Sequence, residues 1–131
     1  MLPGTNRASD RFVRASFYIK SLPQVDDRAR AIASVFSTIR AVSVPLGFTT
    51  PDKPNISSTI WRTVYDQKDK IMYFDSATRP NVFWIPLAGL DFAAGQPVKK
   101  LKLLSGETYS GDASASLTPE QPFAFLPARP E

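Results

Sequence analysis

The chain has 131 residues, 43% of them hydrophobic and 21% charged, with a net charge of +4. That balance excludes a disordered or fibrous chain and makes one domain the starting expectation. It contains no cysteine and no histidine, which removes disulfides, thiolate and imidazole metal sites, a cysteine nucleophile and the usual neutral-pH base from these residues.

Any chemistry must come from carboxylates, lysine, tyrosine or serine, and no metal or cofactor is expected. No apolar run approaches the ~18 residues of a membrane-spanning helix. Met1-Leu2-Pro3-Gly4-Thr5-Asn6-Arg7 lacks the apolar stretch of a secretory signal. Neither a membrane partner nor export is expected from this chain. Arg7, Arg11, Arg14 and Lys20 stand against Asp10 alone between Met1 and Lys20. Such an excess favours anionic partners, but no phosphate loop or nucleic-acid module accompanies it, so no nucleic-acid partner is expected.

In chain order, Met1 to Ser9 reads as a loop, with Ser9 or Asp10 as a helix N-cap. Arg11 to Leu22 fits two periods. Val13, Ala15, Phe17 and Ile19 alternate as in a strand, while Phe12, Ala15, Ser16 and Ile19 share a helical stripe. Asp26 to Val42 predicts a helix, with acidic residues at its start and Ala29, Ile32, Ala33, Phe36 and Ile39 forming a core-facing stripe. Pro45 and Gly47 end it, and Phe48 to Asn55 is a loop.

Ser58 to Tyr65 has β-branched and aromatic strand composition, Asp66 to Lys70 is a connector, and Ile71 to Phe74 returns. Asn81 to Ile85 makes a third strand, and Val98 to Leu104 offers a fourth. The expected fold class is α+β: two helices plus an antiparallel meander of three to four strands. From Ser105 to Glu131 the chain reads as an extended, proline-rich tail, whose Phe123, Phe125 and Leu126 should dock somewhere.

Few residues suggest a site. Arg11 and Arg14 could hold a carboxylate or a carbonyl oxygen through their guanidinium forks. From spacing alone, a surface pair near a helix start is the simpler reading. Asp66 and Asp69 suit a turn better than acid-base work, because short carboxylates satisfy local backbone donors. Trp61, Tyr65, Tyr73, Phe83 and Trp84 could line a pocket, although aromatics at strand spacing more often build a core.

Several segments resemble one known family. Leu2-Pro3-Gly4 followed by Ser9-Asp10-Arg11-Phe12-Val13-Arg14-Ala15 is similar to the Leu-Pro-Gly and Ser-x-Arg-Phe-x-Arg segments of choloylglycine hydrolases. Phe36 to Gly47 resembles the family helix that ends in a Ser-Val-x-x-Pro-x-Gly type turn. Thr59 to Asp66, followed by Met72-Tyr73-Phe74, resembles its hairpin. Tyr109-Ser110-Gly111 and Pro122-Phe123 look like the ending of Gram-negative members, which implies a periplasmic parent enzyme.

The resemblance implies the C-terminal part of an αββα N-terminal-nucleophile hydrolase sandwich, spanning residues 1–131. Its members cleave linear amides such as penicillin V, conjugated bile salts or acyl-homoserine lactones. In them an N-terminal cysteine attacks the carbonyl and its own α-amine acts as base, without histidine. The family's arginine falls on Arg11, with Arg14 as the fallback; Asp10 inherits no role. This chain has no cysteine. The expectation is therefore a fragment or split half, inactive alone, whose partners are the missing N-terminal half and a small amide substrate, with homo-oligomers possible. A second expectation is a non-catalytic module whose basic N-terminal face holds an anionic partner.

Overall fold

A computed structural model describes residues 1–52, 54, 56–103 and 105–127. The ambiguous N-terminal segment is a helix, α1 (Ala8–Ser21). Its N-cap is Arg7, in extended backbone, rather than Ser9 or Asp10. Both of those lie inside the first turn, where the Asp10 carboxylate accepts a hydrogen bond from the Thr5 hydroxyl. An acidic group there opposes the positive end of the helix dipole, so the helix can start earlier than a side-chain cap would place it.

The second helix, α2 (Arg28–Ala41), is capped by Asp27, which accepts from the Arg30 amide at 2.7 Å. Phe36 on its stripe is buried and meets Tyr73 edge-on at 6.3 Å.

Strands β1 (Trp61–Asp66), β2 (Ile71–Ser76) and β3 (Val82–Pro86) form the antiparallel meander. Register sets Trp61 opposite Ser76, Arg62 opposite Asp75 and Tyr73 opposite Trp84. Because strand side chains alternate, Arg62, Val64, Tyr73, Asp75 and Trp84 share the face beneath α2. Trp61, Thr63, Tyr65, Met72, Phe74, Phe83 and Ile85 share the other.

The remainder differs from expectation. Val98 does begin a strand, β4 (Val98–Lys100), but it pairs in a separate ribbon with β6 (Thr118–Glu120). Leu104, the expected end of that strand, lies outside the described residues. The fourth place in the main sheet goes to β5 (Gly111–Asp112), which runs parallel to β3. A long crossover, unlike a hairpin, permits parallel pairing. On its way the chain lays Leu90, Leu101, Leu103 and Tyr109 against the buried cluster of Phe83, Ile85 and Ala113, which Leu117 joins after β5. Gly111 enters β5 at φ 77°, a left-handed angle that favours glycine.

Part of the expected tail therefore lies in regular structure: β5, a short helical turn over Ser114–Ser116, and β6. From Gln121 to Pro127 it again carries no strand or helix, and Ala128 to Glu131 lie outside the described residues. Phe123 and Phe125 meet edge-on at 5.1 Å, yet both stay exposed, as does Leu126. The docking expected of them is not made to the described residues.

Candidate functional site

The N-terminal arginines bind carbonyl oxygens of the chain itself. Arg11 donates through Nε to the oxygen of Val42, the C-cap of α2, at 2.6 Å. Arg14, about one helical turn on, donates through Nη1 to Pro3 at 2.8 Å and Thr5 at 2.9 Å. The fixed fork of guanidinium suits this bracketing of backbone acceptors. Arg11 thereby joins α1 to the end of α2, and Arg14 folds the Leu2-Pro3-Gly4 segment against α1. The basic N-terminal face is thus partly spent inside the chain.

Asp66 and Asp69 do serve the hairpin turn. Asp66 Oδ1 accepts from the amides of Lys68 and Asp69, both at 3.1 Å. A partner hidden from local sequence reading joins them. Arg28 Nε, from the first turn of α2, lies 2.8 Å from Asp66 and 2.9 Å from Asp69, and its Nη2 donates to the Tyr73 hydroxyl at 3.1 Å. The Asp69 amide and the Arg28 guanidinium hold the Asp66 carboxyl below its ordinary pKa. In return the Asp66 hydrogen bond raises that of Arg28.

A second cluster sits at the other end of α2. Asp75, 5% exposed, accepts from Arg40 Nε of α2 at 2.8 Å and from Arg62 Nη1 of β1 at 3.2 Å. Arg62 also reaches Ser43 at 2.9 Å, and Arg40 lies over the Phe36 ring at 5.4 Å. None of Arg28, Arg40, Arg62 or Asp75 was among the sequence candidates. Each partner is distant in sequence, and only strand register or helix docking brings it close.

Between these clusters, α2 and the strands enclose a groove of about 660 Å³ with Phe36, Tyr73 and Trp84 among its walls and Arg28 and Arg40 also lining it. The five aromatic candidates do not converge there. Tyr73 and Trp84 lie 5.8 Å apart under α2, Phe83 is core, and Trp61 borders a cleft on the opposite face. Among the described residues no cluster of three or more acidic side chains could hold a metal ion. The arrangement positions backbone and arginines.

Comparison with known proteins supplies what local chemistry leaves open. Residues 1–100 match the family model for linear amide C–N hydrolases, choloylglycine hydrolase family. The penicillin V acylase of Pectobacterium atrosepticum is 47% identical across 95% of this chain, which spans 37% of that protein. The solved penicillin V acylase of Agrobacterium tumefaciens superposes with a TM-score of 0.86 at 58% identity, covering 96% of this chain and 41% of its own. The chain thus spans well under half the length of these relatives. Its two helices and antiparallel strands match the corresponding part of an N-terminal-nucleophile hydrolase. The chain belongs to the choloylglycine hydrolase family of linear amide C–N hydrolases.

Proposed function

We propose that this chain supplies the C-terminal part of a linear-amide hydrolase of the penicillin V acylase type and is inactive without the rest. One observation carries the reading. The similarity to penicillin V acylases runs over nearly the whole chain, while its 131 residues include no cysteine. The nucleophile that this chemistry needs must then come from outside these residues.

In the assembled enzyme an N-terminal cysteine attacks the amide carbonyl and its α-amino group takes the thiol proton. Arg11 is the site arginine, with Arg14 as the fallback. Its Nε is anchored on Val42, so the rest of the guanidinium plane is held in a fixed direction, as a preorganised donor should be. Substrates are non-peptide amides: penicillin V, conjugated bile salts or acyl-homoserine lactones.

The test is reconstitution with the remaining part of the Pectobacterium enzyme, fused or co-expressed, and penicillin V as substrate. Hydrolysis is expected from the combination and none from this chain alone. Turnover by the isolated chain above a buffer blank overturns the reading.

A further inference from the structure

Arg11 takes its direction from a carbonyl that is itself tightly held. The oxygen it binds belongs to the peptide unit joining Val42 to Ser43, just past the end of α2. A peptide unit is planar, so whatever fixes Ser43 also aims the Val42 oxygen. The Ser43 amide, in that same plane, donates back to the Arg40 carbonyl at 3.2 Å. The Ser43 hydroxyl donates to the Ile39 carbonyl at 2.8 Å and accepts from Arg62 Nε at 2.9 Å. One residue on, Val44 is buried and clasped by Thr59. Its amide donates to the Thr59 hydroxyl at 3.0 Å, and its carbonyl accepts from the Thr59 amide at 3.1 Å.

Behind Ser43 stands the Asp75 cluster. Register sets Arg62 of β1 opposite Asp75 of β2. Arg62 divides its fork, with Nη1 on the carboxylate at 3.2 Å and Nε on Ser43. Arg40 alone already gives Asp75 a counter-charge at 2.8 Å. The second arginine adds what Arg40 does not, a tie from that buried carboxylate to the Ser43 hydroxyl. A continuous run of hydrogen bonds thus leads from Asp75 through Arg62 and Ser43 to the peptide that seats Arg11. Among the described residues Arg11 uses only its Nε. With one edge of the planar fork pinned, Nη1 and Nη2 point where the Val42 carbonyl sends them.

We infer that Arg62, acting through Ser43, is a positioning residue for Arg11, and that Asp75 holds Arg62 in that role. This rests on the proposed function and on Arg11 as its site arginine. A donor fixed in advance needs no reorganisation during reaction, and a misplacement of about 1 Å can lower turnover by about a hundredfold.

The test uses this chain combined with the remaining part of the Pectobacterium enzyme, with penicillin V as substrate. Arg62→Lys keeps a cation on Asp75 but replaces the two-pronged fork by a single nitrogen. Ser43→Ala breaks the same run from the other side and removes no charge. Each should lower kcat by roughly tenfold to a hundredfold with KM nearly unchanged, as loss of a transition-state contact does. Ser43→Thr keeps the hydroxyl and should keep kcat. Arg40→Ala loosens the same carboxylate without touching the Ser43 hydroxyl, so it should lower the melting temperature and leave kcat alone. On top of Arg11→Lys, Ser43→Ala should cost little more, since residues that act as a unit are not additive.

A lower melting temperature with unchanged kcat at both Arg62→Lys and Ser43→Ala makes the run structural, and overturns the positioning role while the function stands. So does a fully additive loss on top of Arg11→Lys, or an equal loss of kcat at Arg40→Ala. If Arg11→Lys itself spares kcat, the positioning role falls with that of Arg11, and the hydrolase reading survives. A complex that does not hydrolyse penicillin V before any substitution overturns both.

Discussion

Arg11 and Val42 link the two helices: a side-chain donor of α1 meets the carbonyl oxygen of the C-cap residue of α2, 31 residues later, at 2.6 Å. A lysine at position 11 keeps the charge but loses the planar fork. Arg11→Lys should lower stability by about 1 kcal/mol, the ordinary worth of one such hydrogen bond. In a reconstituted enzyme it should also lower kcat by roughly tenfold to a thousandfold, as loss of a donor to developing charge does. Arg14→Lys should spare kcat, because an ammonium group can still reach the Pro3 and Thr5 oxygens. Comparison of kcat and melting temperature for both variants decides. A lower melting temperature with unchanged kcat makes Arg11 a helix bracket only, and a kcat loss confined to Arg14 moves the role one turn along.

Asp75 separates two arginines by their burial. Arg62 keeps 15% of its side-chain exposure and Arg40 keeps 50%, on a carboxylate that keeps 6%. Arg62→Ala leaves the buried Asp75 with only the half-solvated Arg40, so it should cost about 2 kcal/mol. Arg40→Ala should cost about 1 kcal/mol, since its ion pair and its contact with Phe36 are half solvated. Denaturant midpoints at constant m-value check the order, and equal costs would show that burial does not set it.

Much of the fold was legible because its signals are local. Asp27 and the Phe36 stripe mark α2, and β-branched and aromatic residues mark β1 to β3. The arginine-carboxylate clusters were not legible, and strand register explains why. A five-residue connector from Asp66 to Lys70 would set Tyr65 opposite Ile71, hence Arg62 opposite Phe74. The actual turn is shorter. Lys70 adopts a left-handed φ of 55° and Asp66 pairs with Ile71, which puts Arg62 opposite Asp75. One residue of register moves every side chain to the other face. The parallel strand β5 was hidden for a different reason: two residues of pairing leave no periodicity, and only burial of Ala113 beside Phe83 and Ile85 fixes it. Arg11 itself was named by family resemblance, since spacing alone favoured a surface arginine.

The hairpin turn should give the chain an acid-sensitive latch. Asp66 has its pKa lowered in the folded state by the Asp69 amide and by Arg28. A carboxylate of this kind contributes stability that is fully present above its unfolded pKa and is lost as pH falls through the lower folded value. Asp112 and Glu120 are lowered too, by hydrogen bonds from Ser114 and from Gln121 respectively. Stability should therefore decline below the usual carboxylate range, and Asp66→Asn should make that decline shallower. Melting temperatures of both proteins between neutral and acidic pH check this; parallel curves would remove Asp66 from the account.

Exposed apolar residues should govern the solution behaviour of the isolated chain. Trp61 and Tyr65 lie on one sheet face along the edge strand β1, and Phe12, Phe17 and Ile19 are exposed on α1. Contiguous apolar surface of this kind normally marks an interaction site. The chain alone should bind a hydrophobic dye and self-associate at micromolar concentration. Dye binding is also the signature of a molten globule, so a second measurement must separate the causes. Here Phe36, Phe83 and Ile85 are buried and the aromatic contacts are fixed, so near-ultraviolet circular dichroism and cooperative melting should persist while dye is bound. Replacing Trp61 and Tyr65 together with threonine, a good strand former, should reduce both dye binding and association without shifting the main-sheet packing. A sharp monomer that binds no dye would show instead that this surface is already satisfied within the chain.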